Sequence, residues 1–529
     1  MSQTQETTEL TEVSTVDWVH RLRERLGRGS SFFLAAWMFL RLLALIYLGA
    51  FVSFWVQLDG LIGQNGILPA GELLERVRQS LGPDRLWEGY LGIPTLLWLH
   101  PADGFLHALC AGGCLLSILL FVGMAAPVTL FLLWVVYLSL VSVGGDFLGF
   151  QWDNLLLETG FIAIFLQPFR LFTGMRRAWA PAYSILLLFR FLLFRLNFSS
   201  GVVKLRAEDP TGPNVWADLT ALYYHYETQP LPTVFGWYAH QLPDWFQQVS
   251  VFLMFVIQLG FAFFVFGPRQ LRLIGCAGLT VLQVFIFITG NYCFFNLLTL
   301  VFCLLLVDDK IFARISFLRP FLEERPKEVS PLRANGRLAL VALAFVLLGV
   351  TGLTQQLRTL GFLYSPPAPL AQTMRSIAPF RSVNTYGLFA NMTTSRPEIL
   401  VEGSEDGENW KTYEFRYKPG DLSRPPVWAQ PHQPRLDWQM WFAALGNYRR
   451  NPWFVAFVHR LLEGSPEVLA LLAKNPFPDK PPTYIRARMY DYHFTDLETR
   501  RETRNWWSRD EEREYLPAVS LEDFRSRDG

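Results

Sequence analysis

The chain has 529 residues, of which 51% are hydrophobic, 15% aromatic and only 18% charged, with a formal net charge of +1. Soluble domains carry about 25% charged residues, so a soluble chain of this length is excluded, as is disorder. Only 5 Cys exclude a disulfide scaffold. Near-neutrality gives nucleic-acid binding no support. What remains is an integral membrane protein with a polar appendage.

Residues 1–30 are polar and acidic at first, then basic (Arg21, Arg23, Arg25, Arg28). They hold no short apolar core followed by a small-residue cleavage site, so they read as a cytoplasmic N-terminal segment rather than a cleavable signal. Residues 31–354 then form a transmembrane helical domain. Nine apolar segments are expected: about 31–56, 104–122, 125–143, 152–168, 182–200, 247–266, 271–289, 292–307 and 336–354. Crossing a core of about 30 Å takes about 20 residues. Segments 152–168 and 292–307 are therefore short, and each carries Asn; full crossing and partial re-entry both stay open for them.

Basic residues fall on one side. With the N-terminus in the cytoplasm, the cytoplasmic loops hold Arg170, Arg176, Arg177, Arg269, Lys310, Arg314, Arg319, Arg325, Lys327 and Arg333. The short outer loops 144–151 and 290–291 hold no Lys or Arg, and the longer outer loops 57–103 and 201–246 hold three and two. The asymmetry puts the N-terminus inside and the C-terminal part outside.

In loop 57–103, GLIGQNGILPAGELL marks tight turns, and Pro69 opens a helix whose first turn carries Glu72. Loop 201–246 is rich in aromatics, among them Trp216, Tyr223, Tyr224, Tyr226, Phe235, Trp237 and Trp245. Two readings stand: interfacial helices on the outer surface, or a client platform of Tyr223, Tyr224, His225, Tyr226 and Trp237.

Ionisable groups are expensive in hydrocarbon and need a partner or a cavity. The segment GFQWDNLLLETGFIAIF carries Asp153, Asn154 and Glu158; the next carries Arg190, Arg195, Asn197 and Lys204. At about 1.5 Å per residue, Glu158 and Arg195 lie at similar depth, and Asp153 lies level with Asn197 and Lys204. Asn291 and Asn296 enter from the same side. This outer polar cluster predicts the pairs Glu158–Arg195 and Asp153–Lys204, either as helix fasteners or as the walls of a cavity in which Lys204 acts as a base. The inner half holds only Arg41 and Arg190.

After a linker at 355–374, residues 375–529 form an outer domain of α+β or β-sandwich class. A hairpin is expected at PEILVEGSEDGENWKTYEFRY, with Asp406-Gly407 at its turn. A helix is expected within 451–473 and a strand at Tyr484–Tyr492. The histidines lack metal-ligand spacing, no phosphate loop or GxSxG serine motif occurs, and no cofactor is called for. No cysteine follows Cys303, so this domain has no thiol chemistry of its own.

Several stretches together resemble the lipase maturation factor family: LIGQNGILPA (61–70), FQWDNLLLETGFIAIF (150–165), NFSSGVVKL (197–205), YYHYETQPLPT (223–233), TGNYCFFNLLT (289–299), VEGSEDGENWKTYEFRYKPGDL (401–422) and PHQPRLDWQMWFAAL (431–445). The resemblance covers nearly the whole chain. It implies a multi-pass membrane protein, in the endoplasmic reticulum of animals, that assists folding of secreted lipases with its C-terminal domain in the lumen. GVVKL (201–205) is also similar to the segment that carries the catalytic lysine of vitamin K-dependent γ-carboxylases, which would make Lys204 the matching position. Two functions follow as expectations. The first is a chaperone-like maturation factor whose partners are membrane lipids and a lipase-like client. The alternative is a membrane enzyme acting on a lipid- or quinone-like substrate with Lys204 as base. A transporter fits less well, because carriers place their sites near the midplane. The absence of a retention signal and the low cysteine use favour a bacterial inner membrane.

Overall fold

The computed structural model describes residues 31–174, 181–206, 214–323 and 331–525. The N-terminal segment 1–30, with Arg176, Arg177, Arg325 and Lys327, lies outside the described residues.

The apolar stretches fold as helices because neither lipid nor a packed bundle can satisfy a bare backbone. Among the described residues, seven helices are long and apolar enough to cross a membrane. They are α1 (Phe33–Trp55), α3 (Asp103–Val122), α4 (Ala126–Val143), α6 (Tyr183–Arg206), α9 (Asp244–Phe264), α10 (Arg269–Thr289) and α12 (Leu338–Thr359). Between α1 and α3, Pro69 precedes helix α2 (Ala70–Leu81), as its ring predicts.

The two short segments are helical over fewer residues than nine full spans require. Helix α5 (Gln151–Ile164) has 14 residues and α11 (Phe295–Leu304) has 10. Both nevertheless join opposite ends of the bundle. After α5 the chain runs on to Thr173, whose N–H donates to Gly123 O at 2.9 Å in the turn between α3 and α4. After α11, Asp308 reaches Arg269 and Asp309 reaches the first amides of α1. Fourteen residues span only about 21 Å of helix, and non-helical chain completes the path.

The C-terminal region is α+β with one antiparallel sheet, not a sandwich, in the order β2-β1-β3-β4. The strands are β1 (Pro397–Ser404), β2 (Lys411–Thr412), β3 (Tyr484–Phe494) and β4 (Trp507–Val519). The expected hairpin exists, with Gly407 at φ +80° in its turn, but its second arm is only two residues long. Tyr413 and Phe415 are buried beyond the end of β2, although Tyr413 N–H still donates to Val401 O of β1 at 2.9 Å. Helix α14 (Arg435–Ala444) packs on β1. Helix α15 (Pro452–Glu463) buries Phe454, Phe457, Val458, Leu461 and Leu462 on the stripe its spacing predicts.

Bundle and sheet share one hydrophobic core, which runs without a break from Leu43 and Tyr137 to Met440 and Phe457. One end of the bundle thus meets the C-terminal region. The other, far end gathers Phe33, Gly123, Thr173, Arg269 and Asp308.

Candidate functional site

The outer polar cluster lies where the C-terminal region meets the bundle, and it separates into three groups. In the first, Asp153, in the first turn of α5, is wholly buried. It accepts from Tyr137 Oη at 2.5 Å and from Arg435 Nη1 and Nη2 at 3.0 and 2.9 Å. Arg435, at the start of α14, also donates to Phe147 O at 2.5 Å. A bidentate guanidinium is the geometry that best neutralises a buried carboxylate. The expected Asp153–Lys204 pair is therefore corrected: a C-terminal arginine holds Asp153, and Lys204 is held elsewhere.

In the second group, one turn and a half further along α5, Glu158 Oε1 accepts from Arg195 Nη1 at 2.8 Å. Its other oxygen accepts from Tyr386 Oη at 2.7 Å, Asn384 N at 3.0 Å and Asn384 Nδ2 at 3.1 Å. Arg195 also donates to Asn384 O. Asn154 Oδ1 accepts from Arg381 at 2.8 Å. Residues 381–389 thus form a strap that dips beside α5 and satisfies its polar groups. Two residues expected here lie elsewhere. Asn197 donates to Leu193 O on its own helix at 2.9 Å, and Asn296 donates to Gln283 on α10 at 2.7 Å. Helix phase turns them away from the cluster although their depth matches.

In the third group, Lys204 is 5% exposed. Its Nζ donates to Ser200 O and Leu388 O, both at 3.1 Å, and lies 5.2 Å from the Trp216 ring centroid. Among the described residues no carboxylate pairs with it. His225, in helix α7 (Leu222–Thr228), lies against Phe389, with Nε2 3.3 Å from Tyr292 Oη. Tyr292 in turn donates to Gln229 at 2.7 Å. Burial pushes the His225 imidazole down to about 4, and the Lys204 charge adds to the shift. A neutral imidazole and an ammonium solvated only by carbonyls and an aromatic face therefore meet at one buried site beside Trp216. Such a pair of buried groups can hold or move a proton.

The supposed platform is mostly not a free surface. Tyr226 and Trp237 are buried with Tyr492, Phe494 and Trp507 of the sheet, and Glu227 accepts from Phe494 N at 2.7 Å. This loop is the seat of the C-terminal region. Tyr223 and Tyr224 stay half-buried, while Phe235, Tyr238 and Trp245 are exposed.

The reading of the sequence missed Arg435, Asn384 and Tyr386. Arg435 stands in PHQPRLDW (431–438), where an arginine beside prolines gives no sign of a partner. A second missed network binds Arg396 to Glu398 at 2.6 Å and Lys418 to Glu398 at 3.0 Å, all buried.

Two family descriptions match the chain. "Lipase maturation factor transmembrane domain" covers residues 34–314, and "Lipase maturation factor C-terminal domain" covers residues 382–517. Similar proteins include lipase maturation factor 2 of Gallus gallus, 38% identical over 92% of this chain and 81% of that protein. Lipase maturation factor 2 of Homo sapiens is 37% identical over 92% and 82%. Lipase maturation factor 1 of Bos taurus is 34% identical over 94% and 91%. No solved structure matches.

Proposed function

The chain belongs to the lipase maturation factor family, and from that premise we propose that this multi-pass membrane protein matures secreted, lipase-like clients on the exoplasmic side. That side is the periplasm in a bacterium and the lumen of the endoplasmic reticulum in a eukaryote. Similarity along both the bundle and the C-terminal region carries the reading. Orientation is supported by charge: Arg170, Arg269, Lys310, Arg314 and Arg319 belong to the far-end loops, and basic loops favour the cytoplasmic side. The role is chaperone-like: an apolar client segment rests on the exposed aromatic rim of Phe235, Tyr238 and Trp245, flanked by Tyr223 and Tyr224. Aromatic rings give large contact area at small entropic cost.

The test is secretion of an active lipase from cells that depend on this protein. Phe235→Ala with Tyr238→Ala is expected to lower secreted activity several-fold at unchanged levels of the membrane protein. Full activity, or failure to cross-link any secreted polypeptide to position 238, overturns the platform.

A second reading rests on the buried Lys204: a membrane enzyme with Lys204 as base toward a lipid- or quinone-like substrate. Lys204→Met separates the two. A maturation factor keeps its secretion activity if the variant accumulates normally, whereas an enzyme loses turnover by orders of magnitude.

A further inference from the structure

The far end of the bundle carries a feature that client maturation leaves unused. Arg190, two turns into α6, is 2% exposed, and Arg272, one turn into α10, is fully buried. Both guanidinium carbons approach the ring of Phe32, at 5.3 and 5.2 Å. Arg190 Nε and Nη2 and Arg272 Nη1 have no hydrogen-bond partner among the described residues.

The nearby acids are already engaged. Asp308 Oδ2 accepts from Arg269 at 2.7 Å and from Arg272 at 3.1 Å, and its Oδ1 accepts from Arg269 at 3.3 Å. Asp309 spends its two oxygens on the amides of Phe33 and Leu34, at 2.9 and 3.1 Å, where they cap the first turn of α1. Arg269 and Arg272 thus share one carboxylate, and Arg190 and Arg272, both against the Phe32 ring, keep buried N–H groups without a partner among the described residues. Arg272 has half of its charge partner in Asp308, while Arg190 lies over the rings of Phe32 and Tyr183; neighbouring buried cations short of negative charge are costly unless an anion joins them.

We propose that this cluster binds a phosphate-type anion between Arg190 and Arg272, supplied by a phospholipid headgroup or by free phosphate. Guanidinium groups match phosphate oxygens in pairs, and long arginine stems let headgroup-level anions meet side chains rooted deeper in a helix. The site lies where helix ends meet the membrane surface, the usual position of inter-helix headgroup pockets. The ring of Phe32 adds a face to both cations.

The test uses the full chain, delipidated and reconstituted in phosphatidylcholine nanodiscs at fixed ionic strength. Thermal midpoints are compared for phosphatidylcholine alone, with phosphatidylglycerol added, and with inorganic phosphate in the buffer. A rise with phosphatidylglycerol only identifies a headgroup; a rise with phosphate as well identifies the free ion as sufficient. Arg190→Gln is expected to abolish the rise, while Lys310→Gln, at an exposed lysine on the same end, keeps it. No rise in either arm, or an equal rise in Arg190→Gln, overturns the proposal. So does loss of the rise in Lys310→Gln, which would mark general surface charge. Should Arg190→Gln fail to fold, native mass spectrometry of the unmodified protein decides. Retention of phosphatidylglycerol or phosphate through detergent exchange supports the site, and bare protein overturns it.

Discussion

Asp153 and Arg435 show how much a single buried pair can decide. Each is almost completely enclosed, and each has the other as its charged partner. Removing one partner of a buried pair typically costs about 3–5 kcal/mol, because the survivor keeps its charge without solvation. Replacing both by neutral groups of similar size costs much less. Arg435→Met is therefore expected to lower the thermal midpoint sharply, and Asp153→Asn with Arg435→Met to recover most of the loss. Equal midpoints for the single and double variants would refute the coupling. Gly160 is a quieter constraint: a Cβ there would run into the Tyr47 hydroxyl, so the crossing of α1 and α5 depends on its absence.

At the scale of elements, the strap 381–389 explains how a 14-residue helix functions inside a bilayer-sized bundle. Helix α5 carries Asn154 and Glu158 where a full span would be apolar, and the strap brings the donors that make this tolerable. Tyr386→Phe removes one donor to Glu158 and is expected to cost about 1–3 kcal/mol. Denaturation of the reconstituted protein measures it, and an unchanged midpoint would remove the strap from the energetics. The Glu158–Arg195 contact follows from residue counting alone, because both lie in helices and helical rise converts spacing into depth. The strap does not follow from counting. It lies about 220–230 residues downstream of its partners in irregular chain, where neither periodicity nor turn chemistry points to a target. Helix phase explains the other misses: Asn197 and Asn296 sit at the expected depth on faces that turn elsewhere.

For the molecule as a whole, the apolar segments and the α+β class of the C-terminal region are legible because amphipathic and apolar periods are local. The union of the two regions is not, because it is made by pairs far apart in sequence. Ser53 of α1 faces His432 Nδ1 at 3.0 Å, and Gln57 donates to Gln433 O at 2.8 Å. This junction predicts a pH response. Burial pushes His432 down to about 4, with the charges of Arg435 and Arg416 adding to it, and His225 is lowered similarly. Unfolding returns each imidazole to an ordinary affinity near 6.5. The unfolded chain then binds more protons than the folded one between about pH 6.5 and 4. Stability is accordingly full above about 6.5 and falls as the pH drops toward 4, by up to about 1.4 kcal/mol per pH unit for each histidine. Melts at pH 7.5 and 5 should show the decline, and His432→Gln should reduce it by about half, the His225 share remaining. A slope identical in His432→Gln would assign the response to other groups.

The distance along the chain between Asp153 and Arg435, 282 residues, sets a clock on biogenesis. At ribosomal speeds of about 5–20 residues per second, the aspartate waits roughly tens of seconds for its arginine to be synthesised. Through that interval the nascent bundle must shelter a carboxylate that has Tyr137 but no cation, in a water-filled insertion site or against an escort. A stop codon before 435 would leave the debt permanent, and such truncated chains should be drawn to membrane quality-control proteases even though every long apolar helix has been made.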